Sequence, residues 1–322
     1  MANARSDLMG RVDDMFDRVW VLAALAAAVG KAPLPKEHGE LLAASGLAER
    51  EGEGWRLRAD YDAVLTGQTD PAAFPRRIAE LLRQAADAAE GVTAPDRSDD
   101  AAYLADGHSS GQHMRLFLDA LSDRTPGFAE LLEHGSPRFL DVGTGVGAIS
   151  AVVVERSPGA RAVGLDVDPR ALRLAGEYLA GLGLHDRVET RLQDVADLSE
   201  SDAYDLVWFP LSVLGPETAE AALPRLRAAL RPGGLLVAAT VLTSDQGAGP
   251  DTGERDLHTA VARWRMSRAG IAPWGPGELS RRLSECGFED VRSAGAPSGT
   301  VTLLTARVPS TRERAEGSGP PS

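Results

Sequence analysis

Cysteine and lysine are nearly absent from this sequence of 322 residues. Cys286 is the only cysteine, which excludes an internal disulfide and gives no support to a thiolate metal site. Lys31 and Lys36 are the only lysines among 34 basic residues, which stand against 47 acidic ones and leave a formal net charge of -13. A nucleic-acid partner needs clustered basic side chains that displace counterions. We therefore expect small-molecule partners and no nucleic acid.

Apolar runs long enough to cross a bilayer are also missing. The apolar stretch at 19–30 is shorter than the roughly 20 residues that a membrane-spanning helix needs. A secretory signal has a basic flank followed by a cleavage site, and the first residues of this sequence lack that pattern. We expect a cytoplasmic protein with no membrane partner.

Residues 1–95 predict a smaller, mostly helical domain. Apolar residues at helical spacing predict a helix from about Asp7 to Val29, and a short helix follows from Glu37 to Ala44. Two extended pieces then flank a turn around Gly52 and Gly54. The order of helix, helix and hairpin is typical of a winged helix. Because the segment 36–45 carries one Lys against two Glu, DNA binding is disfavoured, and a packing or dimerisation module is the preferred interpretation.

From residue 138 onward, short β-rich runs alternate with helical segments. This pattern predicts an α/β fold with a Rossmann-like, seven-stranded sheet covered on both faces. The predicted strands are 138–143, 161–167, 188–193, 204–210, 234–242, 288–294 and 300–308. The connection between the last two is too short for a crossover helix, so we expect the last strand to be antiparallel. The polar, Pro- and Gly-rich tail at 309–322 predicts disorder.

The strongest motif is a glycine-rich bend after the first of these strands. Asp141 ends the strand, and Gly143, Thr144, Gly145 and Gly147 precede a helix. Glycines allow a sharp turn and a close approach of the backbone to a ligand. A dinucleotide would bring a pyrophosphate to the helix N-terminus. S-adenosylmethionine (SAM) has no phosphate, but it has an amino group that suits a carboxylate before a GxGxG spacing, so the motif favours SAM.

Acidic residues also end the next two strands. Asp166, followed by Val167, stands where a carboxylate accepts ribose hydroxyls. Asp194 stands where a carboxylate accepts the adenine amino group, while Val195 supplies a backbone N–H. A helix-capping role for Asp166 and Asp194 remains open, and Asp168 before a proline is interpreted as such a cap.

These motifs resemble those of the class I SAM-dependent methyltransferases. The resemblance covers 139–308 through FLDVGTGVG, VGLDVDP, RLQDV, YDLVWFPLSVL and LRAALRPGGLLVAATV, and the whole chain resembles the two-domain small-molecule O-methyltransferases of natural-product pathways. It implies SAM as cofactor, a homodimer made through the N-terminal region, linking helices and a substrate lid at 96–136, and a SAM-binding domain at 137–308. It places Asp141, Gly143, Gly145 and Gly147 at the methionine part of SAM, Asp166 at the ribose, Asp194 and Val195 at the adenine, and Phe209 and Pro210 beside the methyl group.

A catalytic base is harder to assign. The plant-type relatives carry a His in a His-x-Trp-x-Asp-like stretch after strand four or five, and this sequence has none there. His258 lies on a predicted helix that lines the substrate pocket in the family, although a surface position is an open alternative. Tyr103, His108 and His113 surround a predicted Ser-Ser-Gly turn in the lid segment. Tyr103, His113 and His258 are therefore the catalytic candidates. A metal site is not expected, because His108 and His113 have no third ligand nearby.

The function that follows is methyl transfer from SAM to an O, N or C atom of a small metabolite in secondary metabolism. The missing base leaves open a second reaction, in which the aminobutyryl chain of SAM undergoes an intramolecular displacement. A winged-helix regulator that senses a ligand is a third hypothesis. An NAD-dependent oxidoreductase ranks last, because the glycine spacing and the lack of a catalytic Lys, Tyr or His set disfavour it.

Overall fold

The computed structural model describes residues 2–66, 73–92, 100–242, 254–295, 297 and 301–310. Its internal contacts divide the chain into two compact units, Met1–Asp106 and Gly107–Ser322. The predicted disordered tail lies outside the described residues from 311 onward. No helix in the described ranges is both long and apolar enough to cross a membrane.

The N-terminal unit has the predicted order of helix, helix and hairpin. Strands β1 and β2 pair antiparallel, with Ala48 opposite Leu57. A small apolar core forms around Ala28, Leu34 and Leu42. The elements of this unit are α1 (Ala2–Ala28), α2 (Lys36–Ala44), β1 (Ala48–Glu51), β2 (Gly54–Leu57), α3 (Ala59–Thr66) and α4 (Ala73–Ala89).

The C-terminal unit alternates strands and helices. A long helix, α5, begins in the first unit and continues into the second. The elements are α5 (Asp100–Arg124), α6 (Phe128–Glu133), β3 (Arg138–Val142), α7 (Ala148–Arg156), β4 (Arg161–Asp166), α8 (Pro169–Gly181), β5 (Val188–Leu192), a 3-10 turn (Val195–Asp197), β6 (Tyr204–Pro210), α9 (Pro216–Ala229), β7 (Leu230–Thr240), α10 (Glu254–Arg268), α11 (Pro276–Glu285), β8 (Glu289–Gly295) and β9 (Thr302–Arg307).

Seven strands form one sheet in the order β5-β4-β3-β6-β7-β9-β8. The pairs among β5, β4, β3, β6 and β7 are parallel, and β9 is antiparallel to both of its neighbours. The predicted Rossmann-like sheet and its antiparallel last strand are thus confirmed. Strand order reverses at β3, where β4 lies on one side and β6 on the other, and ligands of open α/β sheets bind at the carboxyl ends of the strands beside such a point.

Both faces of the sheet are buried. In β3, Leu140 and Val142 join one apolar cluster, while Phe139 joins the cluster on the other face. Strands buried on both sides read as continuous apolar runs, which explains why these strands were visible in the sequence. Asp141 is a buried polar residue within this apolar strand.

Helix α5 runs through the segment where a turn was predicted. The predicted turn at Ser109-Ser110-Gly111 was wrong, because these residues are helical. Gly107 and Gly111 are instead required by packing. A Cβ at Gly107 would lie 2.2 Å from Val146 Cγ2, and one at Gly111 would lie 3.1 Å from the carbonyl oxygen of Ala148. Helix α5 therefore packs closely against the start of α7 through its two glycines.

Candidate cofactor site at the carboxyl edge of the sheet

The glycine loop between β3 and α7 has a backbone that few other residues adopt. Gly143, Gly145 and Gly147 have φ angles of +67°, +55° and +77°, in the left-handed region that favours glycine. A Cβ at Gly143 would also lie 2.6 Å from Cγ2 of Val213, which follows β6. The predicted need for glycine at this bend therefore has two causes, namely the backbone angle and the close approach of a neighbouring loop.

Hydrogen bonds fix the glycine loop to β4. Thr144 N donates to Leu165 O at 2.9 Å, and Gly145 N donates to Asp166 Oδ2 at 2.8 Å. The other oxygen of Asp166 accepts from Asp168 N at 2.9 Å. A carboxylate has about four acceptor positions, so each oxygen of Asp166 retains capacity for one further donor. This is the arrangement that two ribose hydroxyls require.

Asp141 lies below the edge of the sheet. It pairs with Gly164 on β4, so Asp166 is two residues nearer the edge, roughly 7 Å along the strand. The side chain of Asp141 is fully buried. Its Oδ2 accepts hydrogen bonds from Thr144 Oγ1 at 2.8 Å and from Ser150 Oγ at 2.7 Å. Asp141 therefore supports the glycine loop from beneath.

Burial sets the protonation of this group. Desolvation raises the pKa of Asp141 to about 6, although the hydroxyls of Ser150 and Thr144 act in the opposite direction. The negative charge of Asp166 adds to the increase in pKa. Asp141 Oδ1 is buried and has no hydrogen-bond partner among the described residues. The carboxylate is thus held ionised at neutral pH by two hydroxyl donors in an otherwise apolar interior.

Asp194, the third acid, is offset from Asp166 in the same direction as Asp166 is from Asp141. Asp166 pairs with Leu192 on β5, and Asp194 stands two residues further along the chain. Asp194 Oδ1 accepts from Ala196 N at 2.9 Å and caps the 3-10 turn, while Val195 is buried. Each acid in the series Asp141, Asp166, Asp194 therefore stands two residues beyond the level of the one before. The predicted cap at Asp168 is confirmed, since its carboxylate accepts from Arg170 N at 2.8 Å at the start of α8.

Large apolar side chains are exposed at this same edge. Val167 after β4 is 66% exposed, Leu192 at the end of β5 is 62% exposed, and Val213 after β6 is 52% exposed. Exposed apolar side chains beside polar groups are typical of binding sites. Val167 was predicted as a cofactor contact, whereas Leu192 and Val213 were not. The available signal for Leu192 was an apolar residue at the end of a predicted strand.

Phe209 and Pro210 occupy the end of β6. Phe209 has no exposed surface and packs in the core cluster on one face of the sheet. Its neighbour Trp208 faces the other side, where its ring lies 6.0 Å from the ring of Phe117 on α5. The assignment of Phe209 and Pro210 to the methyl site stays a prediction.

The three catalytic candidates lie on two helices. His113 is on α5 in the C-terminal unit, and its ring lies 6.3 Å from that of Phe117. Tyr103 is on the same helix but belongs to the N-terminal unit. His258 is on α10, and its side chain lies outside the described residues. His108, one turn before Gln112 on α5, contacts the ring of Tyr178 at 4.6 Å. The catalytic roles of Tyr103, His113 and His258 stay predictions.

Two residues that support the loop were missed in the sequence. Ser150 binds Asp141, and Gly164 leaves room for Thr144, because a Cβ at Gly164 would lie 2.6 Å from Thr144 Oγ1. A serine within the otherwise apolar run 148–154 was the available signal for the first. The second depends on strand register, which the sequence does not reveal.

Comparison with known proteins identifies the domain. Residues 139–234 match a family described as a methyltransferase domain. A release factor glutamine methyltransferase from Cereibacter sphaeroides is 31% identical over 164 residues, which cover 48% of this chain and 55% of that protein. The chain spans about half the length, or less, of the curated relatives it matches.

Solved structures extend the likeness to nearly the whole chain. An O-methyltransferase family protein from Burkholderia thailandensis has a TM-score of 0.68 at 18% identity, covering 95% of this chain and 98% of that one. The mitomycin 7-O-methyltransferase has a TM-score of 0.61 at 20% identity, covering 96% of this chain and 100% of that one. The chain thus has the fold of the two-domain O-methyltransferases.

Residues 139–234 therefore belong to a methyltransferase domain, in a chain that has the fold of a solved O-methyltransferase family protein. SAM is its cofactor, and solved structures with this fold hold SAM or its demethylated product, S-adenosylhomocysteine (SAH). The described residues fit this cofactor. The glycine loop has no space for a Cβ at Gly143, acidic groups suit a cation and a ribose, and exposed apolar side chains suit an adenine ring.

Proposed function

We propose that the protein transfers the methyl group of SAM to an O, N or C atom of a small metabolite, in secondary metabolism. The observation that supports this proposal is the hydrogen bond from Gly145 N to Asp166, because it places a carboxylate suited to ribose beside a glycine loop. The net charge of -13 disfavours nucleic acids as acceptors. The likeness to the mitomycin enzyme, which includes the N-terminal region, favours a small acceptor molecule.

In this reaction the sulfonium of SAM supplies an electrophilic methyl group, so the chain mainly aligns the acceptor and excludes water. Asp166 would bind the ribose hydroxyls and hold the sugar at the glycine loop. Val167 and Leu192 would supply apolar contacts to the adenine ring, and Asp194 would accept from its amino group. His258, His113 and Tyr103 are the candidates that would accept a proton from the acceptor.

Calorimetric titration tests the cofactor step. We expect the protein to bind both SAM and SAH, with one site per chain. A matched titration with NAD serves as the control and should give no heat of binding. Absence of binding by both SAM and SAH would rule out the proposed function.

Product analysis then separates the two SAM reactions. Incubation with SAM and candidate acceptors should yield SAH, which mass spectrometry distinguishes from methylthioadenosine. Methylthioadenosine as the product would replace methyl transfer by the intramolecular displacement.

We further propose that the protein is a homodimer joined through α1. This helix exposes large apolar side chains at helical spacing, and a monomer would leave them in water. They are Leu8, Met9, Met15, Phe16, Val19 and Trp20.

Charges placed on this face should separate the subunits. We expect a variant with Phe16→Glu and Trp20→Glu to sediment as a monomer, while the wild-type protein sediments as a dimer. Leu182→Glu, at an exposed apolar residue that directly follows α8, is the matched control and should remain dimeric. Circular dichroism would verify that the double variant keeps its helices. A wild-type monomer would contradict the proposal.

A further inference from the structure

The carboxylate of Asp141 lies in a buried cage of hydrogen-bond donors. Thr144 Oγ1 and Ser150 Oγ donate to Oδ2, and the backbone N–H of Ser150 also stabilises the ionised form. Both side chains are themselves buried, at 6% and 0% exposure. A hydroxyl that donates to a carboxylate favours the charged form, so the cage opposes the effect of burial on the pKa.

Close packing holds the cage together. Thr144 lies directly over Gly164, where a Cβ would meet Oγ1, Cβ and Cγ2 of Thr144 at 2.6–2.8 Å. The main chain of Thr144 is fixed by its hydrogen bond to Leu165 O. The hydroxyl of Thr144 therefore points to Asp141 as a result of the local structure.

A charge at this depth acts on the ligand above it. Coulomb interactions are much stronger in a protein interior than in water, and the bend directly above Asp141 is the loop that the cofactor meets. SAM carries a sulfonium and an ammonium, whereas SAH has lost the sulfonium charge. An ionised Asp141 stabilises both ligands, and it stabilises SAM more.

We propose that Ser150 and Thr144 are positioning residues that keep Asp141 ionised beneath the glycine loop, so that cofactor affinity depends on the charge of Asp141. This inference rests on the proposed binding of SAM at the loop. The hydroxyls act through Asp141 and do not themselves need to touch the reacting atoms.

The direction of the pH effect follows from linkage. In the free protein the pKa of Asp141 is about 6, and a bound cation lowers it. Affinity for SAM is therefore constant above that pH and falls as the pH drops below it, by up to about tenfold per pH unit for one proton.

Other ionisable groups lie on the elements that pack around Asp141. Asp166 on β4 is the charged group among the described residues that acts on Asp141 most strongly. Helix α5 carries His108 and His113, and α8 carries Tyr178 beside His108. A change at Ser150 leaves these groups in place, so it isolates the contribution of Asp141.

The test is a series of calorimetric titrations with SAM and with SAH between pH 5.0 and 7.5, a range below the ionisation of the ligand's own α-amino group at about pH 8. Wild-type protein is compared with Ser150→Ala. Ser157→Ala is the matched control, because Ser157 is equally buried beside the end of α7 and its hydroxyl has no partner among the described residues. Thr144→Val is a second variant, in case Ser150→Ala does not fold.

Loss of one hydroxyl should move the midpoint of the SAM profile upward by about one pH unit. The control should keep the wild-type midpoint, and SAM should lose more affinity at low pH than SAH. An unchanged midpoint in Ser150→Ala and Thr144→Val, or equal losses for SAM and SAH, would overturn the inference. Wild-type protein that binds neither ligand at pH 7.5 would overturn the proposed function itself, whereas binding with a flat pH profile would overturn only this inference.

Discussion

Replacement of Asp166 by Asn is expected to raise the dissociation constant for SAH about 100-fold. The two oxygens of Asp166 accept from Gly145 N and Asp168 N, and Asn offers only one acceptor oxygen for these amides and the ribose. Hydrogen bonds to charged groups contribute about 1.5 kcal/mol or more each. The loss of two such bonds corresponds to about 100-fold in affinity, since about 1.4 kcal/mol is tenfold. Calorimetric titration at pH 7.5 measures the effect.

A change two residues away provides the control. Asp168 caps α8 through its bond to Arg170 N, and Asn is as good a cap as Asp. Asp168→Asn should therefore bind SAH as the wild-type protein does. If Asp166→Asn also bound SAH with wild-type affinity, the ribose would not be held by this carboxylate, and the assignment of the site to this edge of the sheet would fail.

The sheet could be predicted because its strands are local signals. Runs such as 138–142 and 204–210 are mostly apolar, and each is followed by a turn. The glycine loop was also visible, because Gly143, Gly145 and Gly147 mark a bend between a strand and a helix. The antiparallel pairing of β8 and β9 followed from the length of the chain between them.

Other features depend on how distant segments meet. Asp141 and Asp166 look alike in the sequence, yet one is a fully buried support and the other lies at the edge, because the register of β3 against β4 places them at different depths. Gly111 of α5 was predicted to lie in a turn for a related reason. The role of Gly107 and Gly111 is to admit Val146 and Ala148, which are more than 30 positions away in the sequence.

The same register makes Gly164 a sensitive position, and Gly164→Ala is expected to lower the free energy of unfolding by about 2–3 kcal/mol. The new Cβ would meet three atoms of the Thr144 side chain at 2.6–2.8 Å, so rotation of that side chain cannot relieve the contact. Displacement of Thr144 also removes one donor from Asp141. Urea unfolding followed by circular dichroism would measure the loss, and SAH titration should show weaker binding.

Gly176→Ala is the matched control for this change. Gly176 lies in α8, where a Cβ would meet nothing within 4 Å, so the same substitution should stabilise the helix by about 0.5–1 kcal/mol. A double variant with Gly164→Ala and Thr144→Ala separates the two consequences of the contact. Thr144→Ala removes two of the three contacting atoms, Oγ1 and Cγ2, but keeps Cβ and does not restore the lost donor. We therefore expect the double variant to be more stable than Gly164→Ala alone while its SAH affinity stays low. A double variant no more stable than the single one would show that contact with Oγ1 and Cγ2 of Thr144 is not why β4 requires glycine at 164.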